Sequence, residues 1–427
     1  MGKKLIELRE ITRIEGHLNL DIILMDGEVA IRAAAREGTR ILEKALIGRE
    51  YWEVPEIVSR MCGVCSVIHK VTAVMAVEKA MNIEPPIKAR LIRELIVIGG
   101  HIQSHLLHLF YFVLPDLLGV NSIIDNIMRN IDTIKTVMRV KKWANSIVER
   151  LGGRAIHPIT PIPGGLSKDP MRESLVRILD ESREIKELAI GLVRKLLEME
   201  WPNELKEKNF VSLKESGEIP LLTGYIKVGG KIVSPENYLK EIVYIPEKYS
   251  TAPHFLLRSG ESFMVGALAR LNNNAQYLNG VAKELCKEYG IKYPMYSPFA
   301  NNVSQALEII YFIEKAEEII KELIEMKTSE YCVEVVKRKG EGVAITEAPR
   351  GLLVHSYKIN DEGKVLSANI ITPTAQNLKN IEENAKKLVK KMLDEGSEIN
   401  EIRKRVEALV RSYDPCISCA ARFQKAR

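Results

Sequence analysis

Cysteine is scarce in this chain, with six residues in 427. Exported domains that depend on disulfides are short and rich in cysteine, so this count argues against a disulfide framework. Four of the cysteines instead form two C-x-x-C pairs near opposite ends of the chain, Cys62 with Cys65 and Cys416 with Cys419. This arrangement favours metal or redox chemistry.

Long runs of one charge are also missing. Lysine and arginine number 62 against 56 aspartate and glutamate residues, and the two signs are mixed along the chain, with a formal net charge of +6. Nothing therefore marks a tract for binding nucleic acid. Hydrophobic residues make up 46% and charged residues 28%, the composition of a globular chain with a large core.

The N-terminal segment MGKKLIELRE has no apolar region and no twin arginine, so we expect no signal peptide and a cytoplasmic protein. One stretch, 95–114, lacks Asp, Glu, Lys and Arg and imitates a membrane span. Its histidine, glutamine and serine side chains would be costly in lipid, so a helix buried in a protein core explains the run better. We expect no membrane span.

Helical periodicity dominates, so the predicted fold class is mainly α (α+β), a large central helix bundle with small peripheral β elements. Alternation over 18–35 predicts a β-hairpin with Asp-Gly at 26–27 as its turn. A helix over 67–81 is expected to begin directly after Cys65, and a long helical stretch follows over 87–118.

We expect one body rather than separate domains. Its parts are the hairpin and first cysteine pair (1–82), a helical core (86–200), a mixed lobe (201–260), further helices (262–327), a β-rich segment with the second cysteine pair (331–422), and a removable tail (423–427).

The two cysteine pairs supply four thiolates, a complete set of soft ligands for one metal site. Three interpretations of these pairs remain open on spacing alone. A structural four-cysteine zinc site is the commonest use of paired C-x-x-C motifs, although its pairs usually stand in one short module. A redox C-x-x-C pair is the second, and a catalytic nickel or iron site is the third.

The motifs around these cysteines resemble those of the large (alpha) subunits of nickel–iron hydrogenases. The resemblance lies in R-x-C-G-x-C-x-x-x-H over 60–69 and D-P-C-x-x-C-x-x-R over 414–422. Further similar segments are RIEGH (13–17), GGRAIHP (152–158), PGG (163–165), APRG (348–351) and TPT (372–374). These segments extend over nearly the whole chain. The resemblance implies the fold of a nickel–iron hydrogenase large subunit, and it implies an activity, the heterolytic cleavage or formation of H2.

The resemblance also implies a role for each cysteine. Cys62 and Cys416 would be terminal nickel ligands, and Cys65 and Cys419 would bridge nickel to an iron that carries CO and two cyanides. Cys416 would take the proton released from H2. Glu15 would receive that proton next and lead it out of the site.

Four more residues gain roles from the resemblance. Arg350 would extend over the open coordination position, and Thr374 would donate a hydrogen bond to a cyanide. His69 would hold Cys65 through a hydrogen bond, and Asp414 would orient the site from behind.

A separate magnesium or iron is implied at Glu43, with the backbone near Ile370 as a second ligand. Many relatives provide a metal-binding histidine where this chain has Arg422, and an arginine side chain cannot ligate a metal. The resemblance implies that a maturation endopeptidase cleaves after Arg422 and removes the tail.

The chain itself has no nucleotide or flavin fingerprint and no further cysteine set for an iron–sulfur cluster. The resemblance implies two kinds of partner. One is an iron–sulfur small subunit, and the other is a set of further, diaphorase-like electron-transfer subunits. The short length, and Ser104 where exported relatives tend to carry aspartate, favour the cytosolic bidirectional, sulfhydrogenase-like branch. The alternatives are a metal-free relative of complex I and an assembly protein stabilised by zinc.

Three histidines share one face of the predicted helix, at 101, 105 and 108. A three-histidine zinc site is conceivable there, but core packing near the active site is favoured because no carboxylate shares that face. Cys286 and Cys332 are expected to be small buried side chains.

Overall fold

Helices make up about half of the described residues and the sheets are small, in agreement with the predicted mainly α (α+β) class. The computed structural model describes residues 4–25, 27–38, 41–120 and 122–422. Its α-helices are α1 (Leu42–Ala45), α2 (Glu53–Val58), α3 (Ser66–Met81), α4 (Ile87–Leu107), α5 (Leu114–Leu117), α6 (Ile123–Arg129), α7 (Ile131–Gly152), α8 (Arg172–Leu197), α9 (Pro235–Glu241), α10 (Ala267–Asn274), α11 (Gly280–Glu288), α12 (Ala300–Glu325), α13 (Pro373–Asp394), α14 (Ile399–Ser412) and α15 (Ile417–Ala420).

The strands form small antiparallel sheets, of which β11-β12-β13 is largely buried. Their order within the sheets is β1-β2-β3, β4-β5, β6-β7-β8, β10-β9 and β11-β12-β13. The strands are β1 (Lys4–Leu8), β2 (Leu18–Met25), β3 (Glu28–Ala35), β4 (Pro161–Ile162), β5 (Gly165–Leu166), β6 (Ser212–Lys214), β7 (Tyr225–Val228), β8 (Lys231–Val233), β9 (Ile242–Ile245), β10 (His254–Leu257), β11 (Gly340–Ala348), β12 (Gly351–Ile359) and β13 (Val365–Ile371).

The predicted hairpin is confirmed by the pairing of β2 with β3. Strand β1, which was not predicted from the sequence, adds to its edge. Asp26, expected in the turn, lies outside the described residues. The β-rich segment expected from residue 331 has its first strand only at Gly340, and the stretch before that strand makes a single bridge from Cys332 to Gly165.

Helix α4 lies at the centre of the molecule. Its apolar run packs against α7 and α12, and Gly99 lets α7 approach so closely that an added Cβ would lie 2.8 Å from the Ala144 carbonyl oxygen. Within the described residues, Ile87–Leu117 is the one helical segment long and apolar enough to cross a membrane, yet 78% of its apolar window is buried in the fold. This agrees with the predicted core helix.

The stretch from α4 to α5 is not one regular helix. A π-helical turn, His108–Val113, separates the two. Wider turns of this kind are common beside functional sites. Here the Phe112 carbonyl oxygen accepts a hydrogen bond from the Arg13 guanidinium at 2.9 Å, which ties the π-helical turn to the N-terminal segment.

The C-terminal sheet packs directly on α3. A Cβ added to Gly342 of β11 would lie 2.2 Å from the Ala76 carbonyl oxygen, so only glycine allows this approach. Helix α3 begins at the residue after Cys65, and Arg350 lies in the turn that joins β11 to β12. The packing of this sheet on α3 therefore brings Arg350 next to Cys65.

Candidate metal centre

The four motif cysteines come together at one buried point. Their Sγ atoms all lie within 4.8 Å of one another. Cys416 Sγ is 3.5 Å from Cys62 Sγ, 3.8 Å from Cys65 Sγ and 2.9 Å from Cys419 Sγ. Such spacing suits thiolates that share one metal or a pair of metals, since sulfur–metal distances are about 2.3 Å.

Backbone structure explains how each pair can reach the centre. Cys62 is extended, and Cys65 caps the N-terminus of α3, as the sequence predicts. Cys416 caps the short helix α15, which contains Cys419. Helix N-termini stabilise nearby negative charge, so Cys65 at the start of the long helix α3 is placed where a thiolate is favoured.

The thiols differ in acidity within the cluster. Hydrogen bonds from Cys416 and its neighbours lower the pKa of Cys62. Burial, followed by contacts with the other thiols, raises the pKa of Cys416 well above its ordinary value. Mutual hydrogen bonding and burial thus shift the pKa values of these two thiols in opposite directions.

Glu15 lies against the second cysteine pair. Its Oε2 is 3.1 Å from Cys416 Sγ and accepts the Ser418 backbone N–H at 3.1 Å, and its Oε1 accepts the Ser418 hydroxyl. The Glu15 carbonyl oxygen also accepts the Ile417 backbone N–H at 2.9 Å. Glu15 is therefore not a free surface carboxylate.

Gly16 makes this approach possible. Its φ of +82° lies in the left-handed region, and an added Cβ would lie 3.0 Å from Ile417 Cβ and from the Ser418 nitrogen. A larger residue would push the Glu15 segment away from the cysteines.

A buried arginine approaches the thiols from the other side. Arg350 Nη1 lies 3.3 Å from Cys65 Sγ and 3.4 Å from Ser104 Oγ, and its Nη2 donates to Asp414 at 2.9 Å. Burial lowers the pKa of Arg350, but Asp414 and the thiolates raise it well above its ordinary value. The guanidinium is thus permanently charged beside the cluster.

The remaining predicted residues surround the cluster in different ways. Thr374 Oγ1 accepts the Cys416 backbone N–H at 2.9 Å. The His69 backbone N–H donates to the Cys65 carbonyl oxygen at 3.2 Å, and His69 Nδ1 lies 3.1 Å from His355 Nε2. The expected hydrogen bond from His69 to the Cys65 side chain stays a prediction.

His355, which was not predicted from the sequence, is fully buried and contacts Tyr357 at 2.5 Å through its other ring nitrogen. Burial lowers the pKa of His355 well below its ordinary value, so this ring is neutral. The sequence contained a signal for this contact. Side chains two positions apart on a strand share one face, so alternation along β12 places His355 and Tyr357 together on the face towards α3.

An ion cluster that was also not predicted from the sequence joins the two chain ends. Arg13 Nη2 lies 2.5 Å from Asp116 Oδ1, and Arg411 contacts the same carboxylate at 2.6 and 2.9 Å. Arg411 also donates to the Thr12 carbonyl oxygen at 3.0 Å. Arg13 is two residues from Glu15 and Arg411 is five from Cys416, so this cluster helps set the position of the carboxylate against the thiol.

The three histidines of the central helix make separate contacts. His101 Nδ1 bonds the Val97 carbonyl oxygen at 2.9 Å, and His105 Nε2 lies 2.9 Å from the Glu308 carboxylate. His108 contacts Gln305 at 2.6 Å. Among the described residues, only the four-cysteine group has metal-site geometry, so core packing explains these histidines.

The separate site expected at Glu43 contains a guanidinium. Glu43 Oε1 accepts the Ile370 backbone N–H at 2.9 Å and lies 3.4 Å from Arg422 Nη1. The same Nη1 donates to the Ile370 carbonyl oxygen at 3.1 Å. Arg422 therefore joins the two groups expected to ligate a metal.

Comparison with known proteins identifies the chemistry of the thiol cluster. A family model described as nickel-dependent hydrogenase matches residues 40–169 and 233–422, most of the chain. The chain belongs to the nickel-dependent hydrogenase family. It is a large-subunit-type enzyme chain, and its clustered cysteines agree with an active site that contains nickel and iron.

Curated members of the family resemble this chain over nearly its full length. The sulfhydrogenase 2 alpha subunit of Pyrococcus furiosus is 35% identical and covers 99% of this chain and 100% of its own. The sulfhydrogenase 1 alpha subunit of the same organism is 35% identical, with 97% of each chain covered. A protein of the F420-non-reducing hydrogenase vhu from Methanocaldococcus jannaschii is 31% identical, covering 90% of this chain and 97% of its own.

Solved structures show the same fold. An NAD+-reducing [NiFe]-hydrogenase in the H2-reduced state superposes with a TM-score of 0.87 at 24% identity, covering 98% of this chain and 99% of that one. The Ni-Fe-Se hydrogenase of D. vulgaris Hildenborough gives a TM-score of 0.75 at 23% identity, covering 98% and 100%. The predicted hydrogenase large-subunit fold is thereby confirmed.

The ion cluster at Asp116 yields a prediction for this hydrogenase chain. Asp116→Asn removes the carboxylate shared by Arg13 and Arg411 and leaves Arg411 with only the longer carboxylate contact, to Glu407 at 3.4 Å. Breaking a buried pair costs about 3–5 kcal/mol. We expect the melting temperature to fall by several degrees. The control is Asp132→Asn, whose side chain is 92% exposed beside Lys135 and should have almost no effect. Equal melting temperatures in the two variants would show that the cluster does not hold the chain ends together.

Proposed function

We propose that this chain is the catalytic large subunit of a hydrogenase that cleaves and forms H2 at a nickel–iron centre held by its four clustered thiolates. The observation that supports this most directly is the convergence of Cys62, Cys65, Cys416 and Cys419 from both ends of the chain. When bound, such a centre supplies the electrophile for heterolytic cleavage of H2. The chain supplies the base, the fixed positive charge and the path for the proton.

The ligand roles follow the family motif. Cys62 and Cys416 would hold nickel, and Cys65 and Cys419 would hold both nickel and an iron that would carry CO and two cyanides. The donor set fits, because thiolates are soft ligands and their negative charges face the permanent cation of Arg350. Among the described residues, Arg350 Nε is buried without a hydrogen-bond partner, so it is available to an anionic ligand such as cyanide.

Proton transfer is assigned to Cys416 and Glu15. Cys416 is proposed to take the proton first, and the Glu15 carboxylate lies 3.1 Å from its sulfur, within reach for direct transfer. The Ser418 hydroxyl contacts the same carboxylate and fixes its orientation. The proton thus leaves the thiol without a water molecule having to enter between the two groups.

Arg350 is assigned to the open side of the centre. Its contacts with Cys65 and Asp414 fix the guanidinium in place, so the positive charge does not have to reorganise during the reaction. Asp414 thereby orients the site. Thr374 holds the Cys416 backbone and keeps its hydroxyl hydrogen available for a cyanide.

The alternatives explain less of the structure. A metal-free relative of complex I would not need four clustered thiols. A structural zinc site is closed by its four ligands, and it would not require a carboxylate on one thiol and a guanidinium on another. Both groups are present here, at 3.1 and 3.3 Å from sulfur.

Electrons released from H2 require a partner, because only Cys286 and Cys332 remain and two cysteines cannot hold a four-cysteine cluster. We propose an iron–sulfur small subunit docked beside the Cys62–His69 segment. Exposed apolar side chains near this segment support the proposed docking face. Ile156 is 54% exposed, and the ring of the next residue, His157, bonds the Ser59 carbonyl oxygen. Trp52, which precedes α2, is 56% exposed.

Further assignments rest on the family alone. They are diaphorase-like electron-transfer subunits, a cytoplasmic location and an endopeptidase that cleaves after Arg422. The alpha-subunit names of the sulfhydrogenases agree with a multi-subunit enzyme. The tail over 423–427 lies outside the described residues.

The nickel assignment is tested by Cys416→Ser. A serine hydroxyl is a hard, weakly acidic donor and is a poor ligand for nickel, so we expect loss of nickel and of H2/D+ exchange in the purified complex. Cys332→Ser is the control, because Cys332 lies outside the cluster, and it should keep both. Exchange at the wild-type rate in Cys416→Ser, with metal retained, would contradict the assignment.

Glu15→Gln separates proton transfer from metal binding. The amide keeps the shape of the side chain and can still accept from Ser418, but it cannot take up and release a proton. We expect normal nickel and iron contents with turnover reduced by about 10²–10⁴-fold, the range for loss of a proton-transfer group. Glu10→Gln, at an exposed position of the same segment, should be unchanged. Full turnover in Glu15→Gln would remove Glu15 from the path.

A further inference from the structure

The contacts of Arg422 join one guanidinium to several groups of the chain. Its Nη1 is 3.1 Å from the Ile370 carbonyl oxygen, 3.4 Å from Glu43 Oε1 and 3.5 Å from Asn369 Oδ1. Its Cζ lies 5.3 Å from the centre of the Tyr244 ring, within range of a cation–π interaction. Three oxygens and a ring face thus surround one guanidinium.

The backbone of Arg422 is fixed as well. Its N–H donates to the Thr251 carbonyl oxygen at 3.1 Å. Glu43 lies in α1, Ile370 in β13, and Thr251 in the segment between β9 and β10. Arg422 therefore ties the C-terminal segment, three residues after Cys419, to three separate parts of the fold.

The residues do not fit the divalent cation that family resemblance implies here. Magnesium requires about six oxygen ligands near 2.1 Å in octahedral geometry and usually keeps several waters. Arginine has five N–H donors and no acceptor, so Arg422 contributes no ligand. A cation within about 2.1 Å of both Glu43 and the Ile370 carbonyl oxygen would also collide with, and be repelled by, the guanidinium.

The space beside these groups leads to the same conclusion. A cavity of about 20 Å3 lies between Glu43, Ile370, Arg422 and Cys419. That volume has room for about one water molecule and not for the hydration shell that a magnesium ion keeps.

We propose that the Arg422 guanidinium is the permanent cation of this site and replaces a third metal ion. It neutralises Glu43, and it fastens the segment that carries Cys416 and Cys419 over the thiolate site without any free divalent ion. Arg422 acts as a positioning residue, since its side chain contacts Glu43 and the β13 backbone rather than the thiols. The proposal does not depend on which metal the thiolates hold.

Crystals of the purified complex, grown or soaked with excess Mn²⁺, test this directly by anomalous diffraction. We expect no manganese peak at Glu43 in the wild-type protein. Arg422→His replaces the cation with a neutral imidazole ligand and should give one peak bound to Glu43 and the introduced histidine. The double variant Glu43→Gln with Arg422→His should lose that peak. A metal bound to Glu43 in the wild-type protein would overturn the proposal.

Amide hydrogen exchange tests the fastening role independently of crystals. In Arg422→Met the guanidinium contacts are lost, so we expect exchange of residues 420–422 to become at least tenfold faster. Arg422→Lys keeps the charge and should retain much of the protection, although one ammonium cannot make every guanidinium contact. Unchanged exchange in Arg422→Met would show that the cation does not hold the segment.

Discussion

Closure of the chain over one buried point is the constraint on which the rest of the structure depends. Cys65 and Cys416 are separated by 351 positions, yet their sulfur atoms lie 3.8 Å apart. The parallel bridge between Glu15 and Cys416 brings the N-terminal segment to the same place. The site is therefore complete only when the C-terminal segment lies against the first cysteine pair and Glu15.

Buried charge is balanced around this point by pairing. Arg350 is neutralised by Asp414, and the fully buried Arg270 of α10 bonds Glu308 of α12 at 2.7 Å and Glu347 of β11 at 2.9 Å. Burial opposes ionisation of Glu308, but Arg270 lowers its pKa to about 2, so this carboxylate is charged. Such groups are stable in a dry interior only when paired, which makes the surroundings of the thiolates rigid. Rigidity keeps the guanidinium and the carboxylate at fixed distances from sulfur.

The sequence predicted which residues meet at the site better than it predicted the contacts that they make there. The motif around Glu15, Arg350 and the cysteines indicates that these residues share a site, and the structure brings them together. The Asp116 cluster was not predictable, because its partners stand about 100 and 300 positions away and no local pattern joins them. The π-helical turn at 108–113 was hidden for a similar reason, since its carbonyl groups are satisfied by tertiary contacts. For Arg422 the sequence predicts what the residue cannot do, since an arginine cannot be a metal ligand. Its contacts with Glu43 and the Ile370 backbone are visible only in the structure.

Infrared spectroscopy of the purified complex tests the central claim most directly. CO and cyanide bound to iron absorb where protein does not, so the bands report the proposed centre without interference. We predict one CO band and two cyanide bands that change when the complex is exposed to H2, together with nickel in the large subunit. A spectrum without these bands, from folded protein that holds stoichiometric zinc at the four thiolates, would contradict the account.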